Sequence, residues 1–179
     1  MSTPACVPRR WLRSLRQRIL PAMTHAEALD RSYGWLEHQL LKAAEAMAAD
    51  KFSFRPTPEV RTFGEQLRHI AAVQWVVGAW LQGDKPLADV GDGDNGPPSM
   101  TDKAEILHYL RDSFAFIRGS LKTFNKHNAL EIIPHPYDPT NTKLARISLA
   151  TGYANHGWNH YGQIVVYLRM NGVVPPPSD

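Results

Sequence analysis

Residues 155–163 read NHGWNHYGQ and set two histidines, His156 and His160, four positions apart. On an α-helix that spacing is a rise of about 6 Å and slightly more than one turn, so both imidazoles leave the same face. Paired in this way, they can bind one metal ion from a single helix. A metal site in a bundle core also takes a ligand from a facing helix. His69 qualifies, because its helical neighbours Ala72, Val73, Val76 and Trp80 are apolar. Burying three imidazoles without water, hydrogen-bond partners or metal is costly, and one ion would satisfy all three. The competing reading makes each a core side chain with its own hydrogen bond, and spacing alone leaves both open.

The chemistry of such a site would be that of a neutral donor set. Three imidazoles leave a divalent ion its full charge and leave coordination positions open, as in catalytic zinc centres. An ion so held lowers the pKa of bound water to about 7 and polarises a substrate oxygen. It can equally bind a thiol as thiolate. Glu65 lies one turn before His69, Asn155 and Asn159 flank the paired histidines, and Tyr153, Gln163 and Tyr167 fall on neighbouring turns. Amides so placed can fix a ligand or orient an imidazole. No residue stands out as a general base, so the catalytic group is left unknown. His25, His38, His108, His127 and His135 fall at a helix start, near polar faces, or in or beside a connection, and read as solvated or loosely packed. Asp92, Asp94 and Asn95 hint at a calcium loop, but its sixth and twelfth positions hold Pro97 and Lys103 instead of glycine and a carboxylate.

The elements that must position these residues are helical. Thr24-His-Ala-Glu27 is a capping box, followed by Leu29, Tyr33, Leu36, Leu40, Ala43 and Met47 at helical spacing. They predict an amphipathic helix of about 25 residues. A second capping box, Thr62-Phe-Gly-Glu65, opens a helix reaching about Gln82 that is apolar almost all round and must be buried on more than one side. Ser99-x-x-Asp102 opens a third helix with Ile106, Leu110, Phe114, Ile117, Leu121 and Phe124 on its inner face, ending near Asn125. The proline-rich stretch NALEIIPHPYDPTNT reads as a loop, and the fourth helix is predicted from near Thr142 to Asn171-Gly172. No period-two alternation is long enough to predict a sheet. Trp35, Trp75, Trp80 and Trp158 could line a pocket, although aromatics at helical spacing belong more often to a core.

The chain of 179 residues reads as one domain, an all-α four-helix bundle over residues 23–175, with a basic arm at 1–22 and a short tail at 176–179. Lys and Arg outnumber Asp and Glu by 20 to 17, but Arg9, Arg10, Arg13, Arg16 and Arg18 all precede Met23, where no acidic residue occurs. The bundle itself is therefore slightly acidic, which argues against nucleic-acid binding through it. The arm carries Trp11, Leu12, Leu15 and Ile19 between its arginines and reads as a flexible tail, with a membrane surface or acidic partner as the alternative. No apolar run reaches transmembrane length. The single cysteine, Cys6, excludes an intrachain disulfide framework. With no secretory signal recognisable, it makes a cytoplasmic location the expectation.

TFGEQLRHIA, with His69, and NHGWNHYGQIVVYLRMNG, with His156 and His160, together resemble the DinB family. The resemblance covers about Thr24 to Pro175 and rests on the TFGE-x-x-x-H and H-x-x-x-H-x-G-Q patterns and the helix order. It implies a four-helix bundle with an up-down-down-up path, three histidine ligands at His69, His156 and His160, and a divalent metal, commonly nickel or zinc. It further implies frequent homodimers. Relatives of the family transfer groups to or from small thiols, or isomerise small acids with a thiol. The expectation is therefore a metal-dependent enzyme acting on a small molecule, by hydrolysis or thiol S-transfer, with a low-molecular-weight thiol as a possible partner. The alternative is a non-catalytic metal- or ligand-binding stress-response protein.

Overall fold

A computed structural model describes residues 21–177. Residues 1–20 of the arm, with Cys6, and the last two residues of the tail lie outside the described residues. Four helices make up the frame: α1 (His25–Ala46), α2 (Phe63–Gln82), α3 (Lys103–Leu121) and α4 (Arg146–Met170). Both capping boxes form: Thr24 and Glu27, then Thr62 and Glu65, reciprocally satisfy backbone donors at the starts of α1 and α2. At α3 the cap is Asp102, whose carboxylate accepts from the Ala104 and Glu105 amides, and Ser99 lies outside the helix. The helices end a few residues earlier than periodicity suggests, α1 at Ala46 and α3 at Leu121.

Side-chain pairs give the chain path. Tyr33 donates to the Ala150 carbonyl and Tyr161 to Gln39, so α1 and α4 run parallel. Arg118 meets Asp30, and Arg111 meets Glu45 further along, so α1 and α3 are antiparallel. Ser113 pairs with Gln74 and Ser120 with Gln82, so α2 and α3 are parallel. Gln66 meets Gln163 and His69 lies against His156, so α2 and α4 are antiparallel. The result is up-down-down-up, with α1 and α2 each packed on both α3 and α4. Its core is one apolar cluster, in which Leu36, Leu40, Leu67, Leu110, Phe114 and Leu149 are fully buried. Gly78 and Gly157 mark the tight crossings. A Cβ on Gly78 would meet the Phe116 ring at 2.8 Å, and one on Gly157 would collide with Leu36.

The third connection departs from the loop expectation. Residues Ile132–His135 (β1) and Asp138–Ala145 (β2) form an antiparallel ribbon that pairs Ile132 with Ala145 and Ile133 with Leu144. Its register breaks between Pro134 and His135. Prolines are tolerated there because a two-stranded ribbon is all edge. The ribbon uses the residues read as the start of the last helix, so α4 begins at Arg146 and not near Thr142. Ala145 offers no side-chain cap. Instead the carbonyls of Glu131 and Ala129 accept from the Arg146 and Ile147 amides. Trp80 pins the ribbon to α2 through Nε1–H to the Pro134 carbonyl at 2.9 Å. Among the described residues no helix is long and apolar enough to cross a membrane.

Arg118 is the main polar tie between α1 and α3, with both Asp30 oxygens and one Glu37 oxygen within 3.0 Å. Its hydrogen bond holds the Asp30 carboxyl below the ordinary value of 3.8. We expect Arg118→Met to lower the unfolding free energy by about 1–2 kcal/mol at neutral pH, allowing for its partial exposure. The difference should shrink as pH falls through the depressed Asp30 value, because the carboxylate that Arg118 stabilises is then protonated in both states. Denaturant titrations of the two proteins at neutral and acidic pH check this.

Candidate metal centre

The antiparallel contact of α2 and α4 brings the three histidines together. His69 stands two turns after the Thr62 cap, and His156 and His160 stand one turn apart on α4. The ring centroids of His69 lie 5.2 Å from His156 and 4.9 Å from His160, and those of His156 and His160 lie 4.4 Å apart. One nitrogen from each ring can be chosen so that all lie within 4.8 Å of one another. His160 is buried and the other two are half-buried.

Hydrogen bonds at the far side of the rings decide which nitrogen faces inward. His69 Nδ1 is 2.7 Å from the Asp94 carbonyl, which only accepts, so it carries the proton and leaves the Nε2 lone pair free. His160 Nδ1 is 2.6 Å from Gln66 Oε1. The same orientation of the amide continues in a relay: Gln66 Nε2 donates to Gln163 Oε1, and Gln163 Nε2 donates to Asn159 Oδ1. His160 therefore also turns an unprotonated Nε2 inward, 3.1 Å from His156 Nε2. A tetrahedral zinc with bonds of 2.0–2.1 Å sets its ligand nitrogens about 3.3 Å apart. The pair already stands near that separation, and the donor set fits a borderline metal ion.

Electrostatics keep these rings in the ligating form. Burial pushes His160 down to about 3, with the neighbouring His156 and His69 adding to it. Burial and His69 push His156 down to about 4. Burial lowers His69 too, opposed by its bond to Asp94. The Arg61 guanidinium, bound to Asn95 Oδ1 at 2.7 and 2.9 Å, adds positive charge that lowers all three.

The remaining residues singled out from the sequence separate into two groups. Asn159 and Gln163 belong to the amide relay, and the Tyr153 ring packs beside His156 at 5.9 Å. The other three lie elsewhere. Glu65 is occupied by the Thr62 cap, Tyr167 donates to the Arg61 carbonyl, and exposed Asn155 lines a separate cleft between α1 and α4. The tryptophans also divide. Trp75 is buried on Phe116, whereas Trp35 is half exposed and packs tilted against Trp158 at 4.8 Å. A cavity of about 720 Å³ opens between α4 and residues 172–177, and none of the three histidines lines it.

Sequence reasoning missed Gln66, Asp94, His135 and Tyr137. Gln66 had a signal, a polar residue within an otherwise apolar helix and one turn before His69. His135 was read as loosely packed, yet its Nε2 lies 3.5 Å from the Tyr153 hydroxyl. Tyr137, from the same ribbon, packs on Tyr153 at 6.2 Å, and burial and the neighbouring Asp94 carboxylate push its phenol up. Asp94 occupies the calcium-like stretch but serves through its carbonyl, at a left-handed φ of 55° unusual for a residue other than glycine.

A family model described as the DinB superfamily matches residues 32–164. No curated protein matches. Among solved structures, a DinB-like protein from Bacillus cereus ATCC 10987 is similar with a TM-score of 0.68 at 19% identity, covering 84% of this chain and 95% of that one. A conserved protein from Enterococcus faecalis gives 0.67 at 15% identity, over 83% and 97%. A DinB-like protein from Bacillus subtilis gives 0.66 at 14% identity, over 84% and 95%. At these identities the likeness establishes the fold alone, and it agrees with the four-helix frame and with the matched family: the chain belongs to the DinB superfamily.

Proposed function

We propose that His69, His156 and His160 hold a divalent transition-metal ion, nickel or zinc, and that the protein is a metal-dependent enzyme acting on a small molecule by hydrolysis or thiol S-transfer. The observation that carries this reading is the inward pair of Nε2 atoms 3.1 Å apart, with Gln66 Oε1 placed to accept from His160 Nδ1 and leave its Nε2 lone pair inward. Two lone pairs so close repel unless a proton or a cation lies between them. A bound ion would supply Lewis acidity toward a substrate oxygen and stabilise a thiolate. The chain's own groups do the rest. The amide relay holds His160, the Asp94 carbonyl holds His69, and Tyr153 and His135 offer a hydroxyl and an imidazole at the rim. Arg61 biases the site toward an anionic ligand. Exposed Val166 and Met170 on α4 offer apolar surface for a homodimer.

Elemental analysis of protein purified without chelator should find about one nickel or zinc ion per chain. His160→Ala should lose it. Wild-type protein that neither contains nor takes up metal would overturn the reading. A panel of esters, amides and thiol conjugates then tests catalysis. Metal retained with no turnover beyond His160→Ala would make this a binding protein. Gln66→Leu should leave the helical content intact and weaken metal affinity about 10–100-fold, because the imidazole behind it loses its orientation. Unchanged affinity would remove the relay from the argument.

Metal-free protein should also be sensitive to acid. An unfolded histidine titrates near 6.5, whereas His156 and His160 hold out to about 4 and about 3 in the fold. Their contribution to stability is fully present above pH 6.5 and falls as pH drops toward those values, because the unfolded chain takes up protons first. Thermal melts of chelated protein across that range, compared with His156→Gln/His160→Gln, should show a flatter acid limb in the double variant.

A further inference from the structure

A second cavity, of about 250 Å³, lies on the opposite side of the α2 N-terminus from the histidines' partners on α4. It is bounded by the segment after α1, the first turns of α2 and the residues just before α3. Ser53, Arg55, Glu65, Arg68 and Thr101 contribute its polar lining. We propose that this cavity is a binding site for a compact oxyanion of the phosphate class, held by Arg68 and Arg55.

The argument starts from Arg68. It is 7% exposed, yet its guanidinium is poorly satisfied. One nitrogen donates to the Pro97 carbonyl. Another faces Glu65 at 3.9 Å, too far for a hydrogen bond. Nε is buried with no protein partner among the described residues. A buried guanidinium with an unpartnered Nε–H and only one hydrogen bond to protein is costly, and such a group in a native fold calls for an acceptor. Glu65 does not fill that role, since its Oε2 accepts from the Thr62 amide at 2.6 Å as the helix cap. Arg55 reaches the same carboxylate only at 3.6 Å. Two arginines therefore share one carboxylate that is already engaged, and the cavity keeps a net positive charge. Guanidinium groups match the planar edges of phosphate and carboxylate oxygens. The hydroxyl residues Ser53 and Thr101 suit the additional oxygens of a tetrahedral anion better than those of a carboxylate.

The test uses the full-length protein and inorganic phosphate, with chloride at matched ionic strength as the control. Arginine Nε–H resonances report directly on the guanidinium groups. We expect the Arg68 signal to shift saturably with phosphate and not with chloride. Arg55→Met should weaken that binding about tenfold while metal content stays unchanged. Arg68→Met should abolish it, and because this variant removes a buried group, Arg55→Met carries the conclusion if it misfolds. Glycerol 3-phosphate distinguishes the sources. Equal or tighter binding points to the phosphoryl group of a larger metabolite, and binding of inorganic phosphate alone points to the free ion. No saturable shift, an equal response to chloride, or affinity unchanged in Arg55→Met would overturn the proposal.

Discussion

Imidazoles in a bundle core carry polar nitrogens that water no longer solvates freely, and much of the geometry around α2 and α4 answers that constraint. Each buried nitrogen needs a partner or it costs the fold. Two of the outer nitrogens find one, in the Asp94 carbonyl and in Gln66. Of the inner ones, His156 Nε2 and His160 Nε2 stand 3.1 Å apart and need a shared proton or cation between them. Gln66 is itself buried, and it can accept from His160 only because Gln163 takes its amide hydrogens and Asn159 in turn receives those of Gln163. The polarity introduced at His160 is thus carried stepwise from the core to exposed Asn159, where solvent completes it.

The stretch NHGWNHYGQ shows how tightly this is specified on α4. His156 and His160 face α2. Gly157 between them faces α1, where Leu36 leaves no room for a Cβ. Trp158 turns to Trp35 on α1, and Asn159 and Gln163 complete the relay. One helix therefore presents a histidine face, a close-packing face and an amide ladder within nine residues. The parallel α1–α4 contact is closest at Gly157, in the same turn as both histidines.

The frame and the meeting of the three histidines were legible in the sequence because both follow from local rules. Capping boxes mark α1 and α2, apolar spacing gives the buried faces, and a histidine pair four apart must share a helix face. The β1–β2 ribbon was not legible, because its prolines read as loop and its burial pattern alternates over only four residues in β1. The start of α4 was missed for the same reason. Its amides are satisfied by carbonyls from Ala129 and Glu131, a tertiary solution with no sequence signature. Asp94 was hidden differently: a main-chain carbonyl is present at every residue, and only the fold shows which one reaches a histidine 25 positions away.

That carbonyl also explains why the long connection between α2 and α3 can serve a site at all. Consecutive residues of α2 fasten it. His69 takes the Asp94 carbonyl and Arg68 takes the Pro97 carbonyl, on two sides of the same helix turn. Gly96 lies between these anchors at a φ of 70°, with the Arg68 Cβ only 2.9 Å from where a Cβ of its own would lie. Arg61 adds a third hold on Asn95. A segment pinned at three successive points has little freedom left, so it can keep Asp94 in a left-handed conformation that an unrestrained chain would relax. His69 is thereby oriented by a loop whose own position depends on Arg68, and the histidine cluster and the arginine-lined cavity are joined through the backbone from Asp94 to Pro97.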